Sequence, residues 1–232
     1  SGGFNVQNPG PSYDPERLVS NEIGAKTDLW NGRARLNGAI FDYSYKDIHA
    51  QTINSTTGST NQVTGQEATV RGADLEFNVA LTKSMTLNTG LSYLFDREYD
   101  EFEVPPQGAF PAIDATGNLI AGAPEMSALM GLNSNWEFGQ GRISSDINVS
   151  YNSGVFFNID ETIGSSGTDD GAYTLVNFQS TYFSPNEEWS AGIWVNNIFN
   201  EYYIAGGIET QGSVAANEGQ PRFYGVTVSY FL

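Results

Sequence analysis

Apolar and polar residues alternate along most of this 232-residue chain. Between Gly72 and Val79 every second residue is apolar, and the residues between them are polar or glycine. The same alternation recurs over 85–95, 143–151 and 224–230. Because successive side chains of a β-strand point to opposite faces, a period of two predicts strands with one apolar face and one polar face.

Nine strands of this kind are predicted. They run over 18–30, 33–46, 63–81, 85–98, 125–138, 142–157, 172–183, 189–199 and 222–232. The connections alternate in length, with tight turns at 31–32, 82–84, 139–141 and 184–187 and long segments at 51–62, 99–124, 158–171 and 200–221. Transmembrane barrels combine short periplasmic turns with longer extracellular loops, so the pattern predicts an all-β, antiparallel transmembrane β-barrel.

Aromatic residues favour the same orientation. Trp30, Trp136, Phe138 and Trp189 lie beside tight turns, and Tyr43, Tyr45, Tyr93, Phe95 and Tyr151 lie toward the long segments. Two aromatic girdles at the membrane interfaces would have this distribution. In this orientation Ala73, Leu75, Phe77 and Val79 contact lipid, whereas Asp74 and Glu76 face the lumen. A soluble β-sandwich is the alternative, but its strands are usually only about 5 to 6 residues long.

Composition removes several other classes of protein. Charged residues make up 16% of the chain, against about 25% in an average soluble domain. No apolar run reaches the roughly 18 residues of a helical span, so a membrane helix is not expected. The chain contains no cysteine, which excludes disulfides and thiolate chemistry, and its net charge of -17 argues against nucleic acid as a partner.

Several segments resemble, in order, the C-terminal part of the TonB-dependent receptor family. They are Pro15-Glu16, 21–26, 32–33 with 39–41 and 45–48, 72–76, 123–126, Asn177, 194–203 and 221–225. The resemblance implies a 22-stranded barrel filled by an N-terminal plug and energised by the TonB complex of the inner membrane. Residues 1–232 are then a C-terminal segment, with the plug and the upstream strands outside this chain. The last strand, with Phe231 and Leu232, resembles the signal read by the barrel insertion machinery.

The family also implies a location in the outer membrane of a Gram-negative bacterium and the import of a scarce nutrient. A siderophore-type iron chelate is the leading expectation for that nutrient. A glycan or a cobalamin-like ligand is the first alternative, and a passive porin is the second. A hydrolase centred on His49, the one histidine of the sequence, is not expected, because no serine or carboxylate is paired with it by spacing. An enzymatic function is therefore not predicted.

Candidate ligand contacts lie in the long segments, where acidic and aromatic residues cluster. They are Tyr99, Asp100, Glu101, Phe102, Glu103, Phe157, Asp160, Glu161, Tyr202 and Tyr203. A solvated loop rim is the alternative interpretation of the acidic run. The acidic residues fall short of a Ca²⁺-loop pattern, so neither a metal site nor a cofactor is predicted. Asp74, Glu76 and Asp146, on the polar strand faces, are expected to contact the plug.

Overall fold

A nine-stranded antiparallel sheet, here called the wall, forms most of the computed structural model. The structure describes residues 14–53, 60–106, 108–109, 111–161, 164, 171–210 and 213–231, with the backbone alone at 50–53, 60–65, 208–210 and 213–214. Along the wall the strands are β1 (Arg17–Leu29), β2 (Ala34–Ile53), β3 (Thr60–Ala80), β4 (Met85–Glu101), β7 (Met126–Phe138), β8 (Gly141–Asn152), β9 (Tyr173–Phe183), β10 (Trp189–Asn196) and β13 (Phe223–Tyr230).

Strand register separates the two faces of the wall. One row of directly paired residues crosses all nine strands and is apolar throughout: Leu29, Ala34, Val79, Leu87, Leu132, Ile147, Phe178, Val195 and Tyr224. The neighbouring row, one residue away in each strand, is Asp28, Arg35, Asn78, Asn88, Gly131, Asn148 and Asn177. Directly paired residues share a face, so the apolar and polar positions of the sequence do occupy opposite faces of the sheet.

The apolar face ends at a charged row on the side of the long connections. The last apolar row contains Ile23, Ile40, Ala73, Tyr93 and Met126. In the next row the Arg71 guanidinium lies between two carboxylates, with Nη1 2.7 Å from Asp96 Oδ2 and Nε 3.5 Å from Asp42 Oδ1. Charged side chains are costly inside the hydrocarbon layer, so this ion-pair cluster marks the outer limit of the apolar band on β2–β4.

Aromatic contacts cluster at the tight-turn end of the apolar face. Trp30 packs edge-on against Phe77 at 6.2 Å between ring centroids, and Tyr182 contacts both Phe138 and Trp189. At the other end the predicted girdle is wrong for Tyr43 and Tyr45, because they pair with Val70 and Ala68 on the polar-face side. These two tyrosines therefore belong to the inner face and not to an outer girdle.

Strand ends depart from the predicted bounds for identifiable reasons. The predicted long segment 51–62 is largely strand, since β2 and β3 pair up to Ile53 and Thr60; residues 54–59 lie outside the described part. β8 ends at Asn152 and not at 157, because Gly154 adopts a φ of 87° and donates its N–H to Asn152 Oδ1 at 2.8 Å. The predicted last residue, Leu232, also lies outside the described residues.

Two short hairpins that were not predicted form within the long connections. They pair β5 (Glu103–Val104) with β6 (Ile113–Asp114), and β11 (Ile204–Thr210) with β12 (Ser213–Glu218). The first contributes to a buried cluster, here called the loop core, formed by Ala68, Tyr99, Phe102, Val104 and Ala115. Ile48, Ile113, Ile120 and Ile159 pack around it. The described residues contain no helix long and apolar enough to span a membrane.

Candidate ligand-binding and plug-facing site

The acidic segment 96–103 divides into buried aromatic and exposed acidic side chains. Tyr99 and Phe102 are 7% and 2% exposed, and their ring centroids lie 4.5 Å apart within the loop core. Burial raises the pKa of Tyr99, against the opposing effect of its hydrogen bond with the Ala121 backbone. These two rings are therefore packed in the interior, which removes them from the ligand-accessible surface predicted from the sequence.

The acidic side chains of the segment lie outside that core. Asp100, Glu101 and Glu103 are exposed, and the Thr69 hydroxyl donates to Asp100 Oδ2 at 2.6 Å. The Arg97 side chain, by contrast, is only 8% exposed. It donates to the Ala123 carbonyl at 3.1 Å and lies 3.7 Å from Glu125. The segment thus presents an acidic outer rim over a buried apolar layer.

The connection between β8 and β9 is bound to the β4–β7 connection. Asn118 Nδ2 donates to the Ile159 carbonyl at 2.8 Å, and the Leu119 N–H donates to Glu161 Oε1 at 2.7 Å. Asp160 accepts a hydrogen bond from Asn158. Glu161 therefore satisfies a backbone donor of the neighbouring connection, and sequence spacing carries no signal for that contact.

Asn197, which the sequence did not single out as a site residue, fixes the start of the β10–β13 connection. The residue is 4% exposed; its Nδ2 donates to the carbonyls of Glu201 and Gln220, and its Oδ1 accepts the Glu201 N–H at 2.8 Å. Its own N–H donates to Asn177 Oδ1 at 2.8 Å. One buried amide thus joins β9, β10 and the entry to β13, and it orders the segment that carries Tyr202 and Tyr203.

Tyr203 stacks on Tyr173 with ring centroids 4.5 Å apart and an interplanar angle of 25°. Gly219 lies against the same ring, so closely that a Cβ at this position would overlap it, and donates its N–H to the Tyr203 carbonyl at 2.8 Å. A cavity of about 370 Å³ opens beside the stack and is also lined by Phe157 and Tyr202. Three of the predicted contacts are thereby brought together: Phe157, Tyr202 and Tyr203.

The polar face of the wall borders a larger concavity of about 840 Å³. Asp74 and Glu76 line it, and Asn37 Nδ2 donates to Glu76 Oε2 at 2.9 Å. Asp146 lies in a different environment on the same face, because Asn133 donates to its Oδ1 and Gln179 Nε2 donates to its Oδ2 at 3.1 Å. Both oxygens of Asp146 are thus bound by amides of the wall itself.

Leu129 is an apolar exception on this polar face. Its Cα pairs with Gly90 and with Ser150, and the residue is 60% exposed. The period of two along the strand predicts an inner position for Leu129, and the observed pairing agrees with it. The sequence gives no separate signal for an apolar residue there.

His49, on the side of the long connections, contacts two residues that precede β1. Its Nε2 lies 2.7 Å from the Asp14 carbonyl, and its N–H donates to Glu16 Oε1 at 3.0 Å. That backbone hydrogen bond lowers the pKa of Glu16, despite a smaller opposing effect of burial. Within the described residues no three His, Asp or Glu side chains are grouped so as to hold a metal ion.

An antiparallel wall, apolar on one face and polar on the other, with all its tight turns at one end, defines the class of outer-membrane β-barrels. Residues 1–198 match the family model described as TonB dependent receptor-like, beta-barrel. The chain therefore belongs to the TonB-dependent receptor family. This membership also places it in the outer membrane of a Gram-negative bacterium.

Relatives and solved structures agree with this assignment. The metal-pseudopaline receptor CntO of Pseudomonas aeruginosa is 28% identical over 219 residues, which cover 92% of this chain and 27% of that protein. The ferric yersiniabactin uptake receptor FyuA of Yersinia pestis superposes with a TM-score of 0.78 at 18% identity, covering 98% of this chain and 32% of FyuA. The siderophore receptor PiuA of Acinetobacter baumannii gives 0.71 at 20% identity, over 97% and 29% of the two chains.

The chain thus spans less than a third of the length of these proteins. The similarity to the two solved structures, at 18% and 20% identity, concerns the fold. It covers nearly the whole of the described wall and its connections.

Proposed function

We propose that the full-length protein imports a metal chelate, of the siderophore type, across the outer membrane. Family membership is the observation that carries this proposal, and the relatives named above are receptors for metal-pseudopaline, for ferric yersiniabactin and for a siderophore. Upstream strands and a plug complete the barrel, the TonB complex supplies energy, and the insertion machinery recognises the last strand.

The proposed ligand-collecting surface comprises the candidate residues that lie outside the loop core. Asp100, Glu101, Glu103 and Tyr202 are exposed, and Phe157, Asp160, Glu161 and Tyr203 are partly exposed. Their carboxylates add to a chain of net charge -17, and a field of that sign repels strongly anionic ligands. A neutral or cationic chelate therefore fits the rim better than a highly charged anionic one.

Asp74 and Glu76 are proposed to contact the plug across the lumen. The two carboxylates line the 840 Å³ concavity, in which a basic plug segment would find both charge partners and space. Asp146 is proposed to contact the plug more weakly, since wall amides already bind both of its oxygens.

Uptake by cells tests the proposal. The full-length gene is expressed in a strain that lacks its own chelate receptors, and entry of radioactive iron is followed with hydroxamate and aryl chelates, with and without a protonophore. Energy-dependent uptake supports the proposal. A gene that ignores iron starvation and is induced by a sugar points to glycan import, and steady nanosiemens channels of the purified protein point to a porin.

A further inference from the structure

The cavity beside the Tyr173–Tyr203 stack differs chemically from the rest of the candidate surface. The rim is acidic, whereas none of the described residues that line this cavity is charged. Val155, Phe157 and Ile204 give it apolar surface, and Gly122, Gly154 and Gly164 bring backbone close to it. As far as the described residues line it, the pocket is therefore uncharged and lies within a negatively charged surface.

The aromatic rings that line this pocket are fixed by contacts with neighbouring residues. Tyr203 is stacked on Tyr173, lies against Gly219 and follows the segment ordered by Asn197. Phe157 lies against Gly164, whose φ of 96° favours glycine. Rings that are already fixed lose little conformational freedom when a ligand binds, so their contacts add directly to affinity.

The size and lining of the pocket restrict what can enter. Its volume of about 370 Å³ is near the lower end of small-molecule sites, so it fits a fragment of a ligand and not a whole chelate. A sugar would need a partner for each of its buried hydroxyls, and the polar side chains among the described lining residues are Asn152, Tyr173, Tyr202 and Tyr203. A planar, uncharged ring gains offset or edge-to-face contacts with Phe157 and Tyr203.

We infer that this pocket is a subsite for an uncharged aromatic or heteroaromatic ring carried by the imported chelate. The inference rests on the proposed function, because it names the part of the metal chelate that the β8–β9 and β10–β13 connections recognise. The metal-binding groups of the chelate then lie outside the pocket, toward the lumen, where Tyr203 also borders the larger concavity.

Calorimetric titration of the full-length receptor, plug included, tests the inference with two probes. One is the ferric complex of a linear trihydroxamate whose terminal amine carries a benzoyl group, a ring that does not bind the metal, and the other is the same complex with an acetyl group in place of the benzoyl group. Tyr203→Leu should weaken the ring-bearing chelate roughly tenfold, and Tyr203→Phe should retain its affinity. The affinity for the acetylated chelate should change by less than about twofold in either variant.

Two further variants separate loss of the pocket from general damage. Ala205→Trp fills the pocket from an exposed position and leaves the Tyr173–Tyr203 stack in place, so it should reproduce the selective loss. Tyr224→Leu changes a tyrosine of the outer face, 77% exposed, and should affect neither probe.

The outcomes distinguish the two levels of the proposal. Equal loss for both chelates, no loss for either, or a wild-type receptor that binds the acetylated chelate alone overturns the ring subsite and leaves chelate import intact. Wild-type receptor that binds neither ferric chelate, but binds a maltodextrin or cobalamin, overturns chelate import and the subsite together.

Discussion

The wall and the loop core bury apolar side chains in different ways. In the wall, apolar residues such as Ile23 and Val226 are 77% and 73% exposed in the chain alone, because lipid is their solvent. In the loop core, Phe102 and Ala115 are 2% and 0% exposed, because protein covers them. The same residue types thus report membrane contact in one region and tertiary packing in the other.

The long connections and the tight turns lie at opposite ends of the wall, so they should be accessible from opposite sides of the outer membrane. An epitope tag inserted at Gly117, a turn residue whose α-carbon faces open space, should bind antibody on intact cells. A tag at Gln140, in the tight turn between β7 and β8, should bind only after the outer membrane is permeabilised. Flow cytometry on cells carrying each tag measures antibody binding at the two positions. The reverse result would show that the wall has the opposite orientation in the membrane.

Much of the wall could be predicted from the sequence because its burial is local and periodic. All nine predicted strands exist, and the faces assigned to 73–79 and 143–151 agree with the observed register. Lipid on one side and a lumen on the other impose a period of two on every strand, whatever its neighbours.

The loop core could not be predicted, because its contacts join residues far apart in the chain. Phe102 packs with Ala68 and Ala115, and its own sequence neighbourhood is a run of acidic residues that suggests solvent exposure. The Asn197 hydrogen bonds likewise link Asn177 with Gln220. No local pattern encodes such contacts, so the sequence identified the candidate segments but not which side chains remain accessible.

Truncation of the loop core should cost more than any other single change considered for these regions. Phe102→Ala removes a fully buried ring and should destabilise the β4–β7 connection by about 3–5 kcal/mol. Limited proteolysis of intact cells should then cleave this connection. Phe199→Ala, at a ring that is 73% exposed, is the matched control and should stay resistant. Equal resistance of the two variants would contradict the packing of Phe102.

A charge on the outer face of the wall should have the next largest effect. Phe77→Arg places a cation in the lipid layer at a cost of roughly 2–4 kcal/mol, whereas Glu76→Gln, one residue away on the inner face, should cost far less. Urea unfolding of the full-length barrel in liposomes compares the two. If Glu76→Gln is the more damaging change, the assignment of faces on β3 is wrong.

The polar network of the inner wall provides a smaller effect. Asp146→Leu leaves the amide donors of Asn133 and Gln179 without their acceptor and should cost about 1–2 kcal/mol. Asp146→Asn keeps an acceptor oxygen and should cost less. The same unfolding assay measures both, and a Leu variant as stable as the Asn variant would show that these hydrogen bonds contribute nothing.

The smallest effect is expected where the wall leaves the membrane, at the Arg71 cluster. The Arg71 side chain is 47% exposed and its partners Asp42 and Asp96 are 51% and 29% exposed, so water and salt screen both ion pairs. Arg71→Ala should therefore cost no more than about 1 kcal/mol, and this cost should shrink further at about 1 M salt.

Arg97 is the buried counterpart of Arg71, because its side chain is only 8% exposed and donates a hydrogen bond to the Ala123 carbonyl. Arg97→Ala should cost about 1.5–3 kcal/mol, since a partly buried carbonyl loses a charged donor, and this cost should persist in high salt. Proteolysis of the β4–β7 connection and barrel unfolding, each at two salt concentrations, measure the pair. A salt-sensitive Arg97 variant, or an Arg71 variant that is the more damaging of the two, would show that exposure does not separate these regions as the structure indicates.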